Sequence, residues 1–151
     1  MSRPVRRLTF DEWRSLLRAA WWLVVVRLSL VLLGFTRTRT WTKRARPRPG
    51  RNALPIVVGW SVEAVGRRLP GMKCLSRALA AEVILRRGDR DPKLCFGVVR
   101  DADKGIEAHA WVEDAGRIVV GGRDRERFTL LQEGASSSRS PSSIPDRSPL
   151  D

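Results

Sequence analysis

Two residues of this chain have the types needed for covalent acyl chemistry, a cysteine and the single histidine. Cys74 follows the segment Pro-Gly-Met-Lys and opens a helical apolar repeat. The unpaired N–H groups and the positive dipole end of a helix start favour a thiolate, as does a neighbouring cation such as Lys73. His109 lies in a later run of alternating residues that predicts a strand. If the helix start packs across that strand, thiol and imidazole form a nucleophile with its general base.

Other roles remain open for the same residue types. A cysteine among apolar helical neighbours can be a small core residue, and a strand histidine can be structural. Cys95 lies within the run Leu-Cys-Phe-Gly-Val-Val, which predicts a residue of the sheet core. A zinc site built from Cys74, Cys95 and His109 lacks recognisable ligand spacing, so no metal and no cofactor are expected.

Length and composition limit the class of protein. The chain has 151 residues, 42% of them hydrophobic and 30% charged, which indicates a single globular domain of ordinary size. Two cysteines are too few for a disulfide scaffold or a thiolate zinc ribbon, and one histidine excludes a two-histidine metal helix. The composition favours a reducing, cytoplasmic location.

The formal net charge of +13 is concentrated near the start of the chain. Residues 1–52 hold 13 Lys and Arg against two acids, whereas residues 53–151 hold 16 against 14. Such an excess suggests nucleic acid or an anionic membrane, but its confinement to one third weakens that interpretation for the whole chain. The preference for Arg over Lys, 25 to 4, reflects either coding bias or recognition of phosphate and carboxylate groups.

The most apolar segment covers residues 16–35 and predicts a helix. A spanning helix needs about 20 apolar residues with few charges, and Arg18 and Arg27 interrupt this run on opposite sides. The residues after Leu33 lack a small-x-small cleavage site. The helix is therefore expected to pack on its own domain, with a membrane-surface or partner-docking helix and a targeting segment as alternatives. Residues 36–51 are predicted to form a solvated basic linker.

Further along, the hydrophobic period is first helical and then extended. Helices are predicted at Pro55–Leu69 and Cys74–Arg87, and strands at 94–100, 107–113 and 117–120, with a three-residue hairpin loop at 114–116. Helices followed by a small antiparallel sheet define the α+β class. The organisation predicted is an apolar helix and basic linker at 1–52, a core at 53–132, and a disordered Ser/Pro-rich tail at 133–151.

Several segments together resemble a known family. They are 70–71 (PG), 74–79 (CLSRAL), 85–88 (LRRG), 96–98 (FGV), 108–113 (AHAWVE) and Gly116. The combination of CLSRAL with AHAWVE closely resembles the transglutaminase-like cysteine protease of lasso-peptide biosynthesis. The resemblance extends over roughly 55–131 and implies a transglutaminase/papain-like core.

This resemblance implies removal of the leader from a ribosomally made precursor peptide. The implied partners are a PqqD-like leader-recognition protein and an ATP-dependent, lactam-forming cyclase that uses the released core peptide, with no nucleic acid involved. Cys74 would form a thioester with the scissile carbonyl, and His109 would serve as base and then as acid. The N–H of Cys74 would contribute to the oxyanion hole.

The third member of a catalytic triad is not evident. The resemblance implies an acid on the strand after the histidine strand, but the predicted register places residue 121 opposite His109, within Val-Gly-Gly. Glu113 lies four residues along the same strand, about 13 Å away. Asp124 reaches the ring only if the chain bends at the two glycines. A Cys-His dyad is therefore favoured, with Asp124 and then Glu113 as candidate orienting residues.

Two other functions remain compatible with the sequence. The first is a non-catalytic basic module that binds nucleic acid or an anionic membrane through residues 1–52, including membrane contact by residues 16–35 without spanning. The second is acyl transfer on another substrate, which the same Cys-His pair could perform.

Overall fold

The structure, a computed structural model, describes residues 9–50, 52–101, 105–122 and 128–133. Within these ranges, helices precede a four-stranded antiparallel sheet of strand order β3-β2-β1-β4. The elements are α1 (Phe10–Leu32), α2 (Gly34–Lys43), α3 (Pro55–Gly66), α4 (Cys74–Arg87), β1 (Lys93–Asp101), β2 (Gly105–Asp114), β3 (Arg117–Val120) and β4 (Thr129–Glu133). This is the mixed α+β arrangement that the sequence predicts.

Helix α1 starts earlier than its apolar run because a capping box precedes that run. The N–H of Glu12 donates to Oγ1 of Thr9 over 3.3 Å, and the N–H of Thr9 donates to Glu12 Oε2 over 2.7 Å. These reciprocal bonds satisfy backbone donors that a helix start leaves unpaired. The inward face of α1, Ala19, Leu23 and Val26, is buried in the same core cluster as residues of α3 and α4.

Residues 34–43 are helical, so the prediction of a solvated linker over the whole of 36–51 is wrong. Thr38 and Thr42 of α2 are fully buried, and their hydroxyls donate to backbone carbonyls of the same helix. Arg39 lies 2.5 Å from Oε2 of the buried Glu82 on α4. Apolar periodicity does not reveal this helix, because its two fully buried residues are threonines whose hydroxyls bond to carbonyls of the same helix.

Helix α4 packs on the sheet through small side chains and has the predicted bounds. Ala78, Ala81 and Leu85 lie in one buried cluster with Ala110 and Val112 of β2. Alanines on both surfaces let the helix approach the strand closely, as the sequence suggests. Strand β2 therefore has one face directed at the helices and, because side chains alternate, a second face that carries His109 and Trp111.

The hairpin between β2 and β3 has a two-residue turn, so the predicted three-residue loop is wrong. Ala115 and Gly116 have φ values of 49° and 75°, as a tight primed turn requires. Asp114 stays in the strand because its buried carboxylate bonds to Arg90, with Arg90 Nε to Asp114 Oδ2 at 3.0 Å. This hydrogen bond with Asp114 raises the pKa of Arg90.

The remaining differences concern element ends. Helix α3 ends at Gly66 rather than Leu69, and β4, which the sequence pattern did not indicate, pairs with the outer side of β1. The disordered tail was predicted to begin at Glu133, but this residue ends β4. The rest of the predicted tail, 134–151, lies outside the described residues.

Candidate active site

Cys74 is the first residue of α4 and is half-buried. Its N-cap neighbour Lys73 is extended and makes no side-chain capping bond, since an ammonium cannot accept one. The backbone N–H groups of the first turn are therefore left without a side-chain cap. On the preceding turn, a Cβ on Gly71 would lie 3.5 Å from Arg27 Nη2, so the cation that interrupts the apolar run of α1 reaches the loop before the cysteine.

His109 lies in the middle of β2, opposite Gly97 of β1. Its half-buried ring stacks on Phe128, with centroids 5.0 Å apart, and on Trp111 at 6.2 Å. A Cβ on Gly97 would come within 2.8 Å of Phe128 Cβ and 3.0 Å of Trp111 Cζ3. Glycine at position 97 therefore allows these rings to pack over β1 beside the imidazole.

The imidazole is held by a main-chain group. His109 Nε2 lies 2.7 Å from the carbonyl oxygen of Gly121. Because a carbonyl only accepts hydrogen bonds, Nε2 carries a proton, and the neutral ring has its lone pair on Nδ1. This is the tautomer that a base at Nδ1 needs.

The backbone at Gly121 accepts no other residue without strain. Its φ is +82°, a conformation that disfavours side chains, and a Cβ would lie 2.8 Å from Ala110 O and 2.9 Å from Trp111 Cβ. Gly121 therefore lies close against the backbone of β2, and its carbonyl oxygen points at the imidazole.

A chain of polar contacts joins this carbonyl to the first turn of α4. Glu63 of α3 accepts the N–H of Gly121 at Oε1 over 3.3 Å, and its Oε2 lies 3.5 Å from Arg77 Nη1. Arg77 is three residues after Cys74 and also donates through Nη2 to Gly66 O over 3.1 Å. Among the described residues, His109 hydrogen-bonds the Gly121 carbonyl and lies on the face of β2 turned away from α4, so the expected meeting of thiol and imidazole is not observed. The polar chain is what connects their two elements.

The third residue expected of a catalytic triad is not identified among the described residues. Val112 pairs with Val120, which differs from the predicted register by two positions, yet Gly121 still reaches His109. Asp124 lies outside the described residues. Glu113 accepts a 2.9 Å hydrogen bond from Trp111 Nε1 on the same strand.

Sequence reasoning missed Glu63 and the main chain of Gly121. Glu63 lies in an apolar helix without a motif, whereas the Gly-Gly pair after β3 was a signal for a close backbone approach. Cys95 is buried and opposite Trp111, as expected of a sheet-core residue. Within the described part of the chain, no group of three or more His, Cys, Asp or Glu residues is arranged to hold a metal ion.

A helix that begins with cysteine packs on an antiparallel sheet whose second strand carries the histidine. A family model described as the transglutaminase-like superfamily matches residues 20–133, which start within α1 and end with β4. The chain belongs to the transglutaminase-like superfamily, which generally includes cysteine peptidases and transglutaminases. No curated protein and no solved structure matches the chain significantly.

Proposed function

We propose that this chain is a cytoplasmic cysteine protease that removes the leader from a lasso-peptide precursor. Cys74 is the nucleophile and His109 the base, within a transglutaminase/papain-like core. The observation that carries the proposal is the 2.7 Å contact of His109 Nε2 with Gly121 O, because it leaves Nδ1 as the basic nitrogen. A PqqD-like protein presents the leader, and the lactam-forming cyclase uses the released core peptide.

The reaction consists of two acyl transfers. His109 Nδ1 takes the proton of the Cys74 thiol as Sγ attacks the scissile carbonyl. The tetrahedral oxyanion collapses to a thioester, and the imidazolium protonates the leaving amine of the core peptide. Water, deprotonated by the same nitrogen, then attacks the thioester and releases the leader as a carboxylate with the thiol restored.

The contacts around the imidazole support this assignment. The Gly121 carbonyl fills the position of the group that orients the ring in thiol proteases, and Glu63 holds the Gly121 peptide from the other side. Catalytic hydrogen bonds are often long in an empty site and shorten when substrate binds. The proposal therefore requires Sγ and Nδ1 to be brought together in the complex with precursor, because α4 packs on the face of β2 opposite to His109.

The start of α4 supports the stabilisation of negative charge. The N–H of Cys74 points out of an uncapped first turn, where the helix dipole is positive. A donor in this position is suited to a tetrahedral oxyanion formed on the attacked carbonyl.

The test is a reconstituted cleavage reaction. The reading frames beside that of this chain are searched for a short precursor, a PqqD-like protein and a cyclase, and the first two are purified with the full chain. Mass spectrometry should show a leader and a core peptide, with cleavage absent in His109→Ala. An intact precursor after prolonged incubation with the recognition protein would contradict the proposal.

Acyl transfer to an amine is the second candidate, because the superfamily includes transglutaminases. The same thioester would be attacked by an amine in place of water. Adding a primary amine such as glycine ethyl ester distinguishes the two activities. A protease yields leader carboxylate even in excess amine, whereas a transferase yields the amide.

A further inference from the structure

The outward face of α1 is apolar over its whole length. Its members recur every three or four residues, and each is at least 41% exposed: Phe10, Trp13, Leu17, Trp21, Val24, Leu28, Val31 and Leu32. A helix of this length extends over about 33 Å. Among the described residues no element covers this face, which we call the α1 outer face. Continuous apolar surfaces of this kind mark interaction sites.

A basic cleft lies beside the α1 outer face. Its volume is about 590 Å³, and its lining residues are Arg14, Leu17, Arg18, Trp21, Trp22, Arg48 and Arg87. Four of these carry guanidinium groups, and no carboxylate is among the described residues that line it. Arg87 stacks on Trp22, with its guanidinium carbon 4.7 Å from the ring centroid.

The charge of the surrounding segment has the same sign. Residues 9–50 contain nine Lys and Arg against two acids, and both acids lie at the start of α1, where they favour the helix N-terminus. A partner for this surface must therefore combine an apolar layer with negative charge. Lipid acyl chains beneath anionic headgroups supply both.

We propose that the α1 outer face binds the surface of an anionic membrane. The helix lies parallel to the bilayer, with Leu17 and Leu28 in the acyl boundary and Trp13 and Trp21 at headgroup level, where tryptophan is favoured. The basic cleft receives lipid phosphates. This inference does not depend on the proposed peptidase activity.

The packing of α1 favours binding at the surface over crossing. By length and composition, α1 is the one helix in the described part of the chain that could cross a membrane, and 17% of its most apolar window is buried. Its inner residues Ala19, Leu23 and Val26 are fully buried against α3 and α4. Crossing would remove these side chains from the core, whereas surface binding leaves that core intact.

Charge also argues against pairing with a second copy. Face-to-face association of two α1 outer faces would bring together two segments that each carry an excess of Lys and Arg over acids, which like-charge repulsion opposes. An anionic lipid surface is attracted by the same arginines.

The test is co-sedimentation of the full chain with vesicles of phosphatidylcholine alone or with 30% phosphatidylglycerol. We expect binding to the anionic vesicles, weakened by salt, with a blue shift of tryptophan emission. Leu17→Glu should lower the partition coefficient at least ten-fold, and Arg14→Gln and Arg48→Gln about five-fold each. Ile56→Glu and Arg117→Gln, exposed on α3 and β3, are the matched controls and should bind like wild type.

Several outcomes of these binding measurements would contradict membrane binding by the α1 outer face. Equal binding to both vesicle types, no binding at low salt, or full binding by a folded Leu17→Glu variant would overturn the proposal. Two further results would overturn it if the wild-type chain also fails to bind vesicles. They are a lipid-free dimer that Leu17→Glu abolishes, and a complex with an acidic protein that Leu17→Glu abolishes. Circular dichroism verifies the fold of each variant, and precursor cleavage in lipid-free solution should be unchanged by Leu17→Glu.

Discussion

The two cysteines lie in contrasting environments, Cys74 at the start of α4 and Cys95 near the start of β1. Cys74 is half-buried at a helix start, with backbone N–H groups that lack a side-chain cap and with Arg77 three residues further along the same turn. Cys95 is 1% exposed within the sheet and faces Trp111 across the strand pair. The residue type is the same, but of the two positions only the first combines access with the positive polarity of a helix start.

A similar contrast in burial occurs within α4. In α4 itself, residues 78–85 are all buried, whereas Cys74, Leu75 and Arg77 are half-buried. Variants in the first turn should therefore change activity more than stability, and variants deeper in the helix or the sheet should do the reverse.

The largest effect is expected for Cys74→Ala. Loss of the nucleophile should lower the rate of precursor cleavage by about 10³-fold or more, with the free energy of unfolding nearly unchanged. Cys95→Ala is the matched control and should retain cleavage while losing about 1 kcal/mol of stability. Mass spectrometry and urea unfolding measure the two quantities. Normal cleavage by Cys74→Ala, or its loss in a folded Cys95→Ala, would reverse the comparison.

Glu82→Ala should produce the largest loss of stability. The Glu82 carboxylate is fully buried between Arg39 at 2.5 Å and Arg86 at 3.2 Å, so its removal deprives two largely buried guanidinium groups of the carboxylate that they share. A cost of about 3–5 kcal/mol is expected in urea unfolding. Glu107→Ala, exposed on β2, should change stability by less than about 0.5 kcal/mol. Similar midpoints for both variants would show that α2 is not anchored through this pair.

Gly121→Ala should impair both stability and cleavage. The alanine would have to keep a left-handed φ, and its methyl group would clash with Ala110 O, at a combined cost of about 3 kcal/mol in stability. Gly116→Ala has the same backbone conformation, with φ +75° and no atom within 4 Å, so it isolates the conformational term. Cleavage per folded molecule should fall for Gly121→Ala alone. Equal activity in both variants would indicate that the Gly121 carbonyl does not orient His109.

Glu63→Ala tests the most indirect contribution. Because Glu63 acts through the Gly121 peptide, its loss should lower kcat by about ten-fold and leave KM for the precursor unchanged. Glu63→Gln retains an oxygen that accepts the Gly121 N–H and should restore most of kcat. An equal loss of kcat in both variants would indicate that Glu63 acts through its ion pair with Arg77 rather than through the imidazole.

Much of the fold could be predicted because its elements have clear periodicity. Cys74–Arg87 and Arg117–Val120 were predicted with their observed bounds, since an apolar helical repeat ends at glycine and a short β-rich run follows a turn. Helix α2 could not be predicted in this way, because its buried residues are two threonines and it is also anchored by the ion pair of Arg39 with Glu82. Strand β4 is short and has little alternation of its own.

The candidate site was predictable only where it depends on side-chain type. Cys74 and His109 stand out by chemistry, and their catalytic roles stay predictions. The group that holds the imidazole is a carbonyl, which every residue has, so no residue type reveals it. Its position depends on the register shift between Val112 and Glu113 and on the left-handed backbone at Gly121. Glu63 contributes through a contact between residues 58 positions apart in sequence.

The most direct test of the central claim, that His109 activates Cys74, is the rate of iodoacetamide labelling at each cysteine, followed by peptide mass spectrometry. In the native full chain at pH 7, Cys74 should be labelled at least about ten-fold faster than Cys95, which is buried. His109→Ala should slow labelling at Cys74 and leave Cys95 unchanged. Equal rates at the two cysteines, or a Cys74 rate unaffected by His109→Ala, would contradict the account.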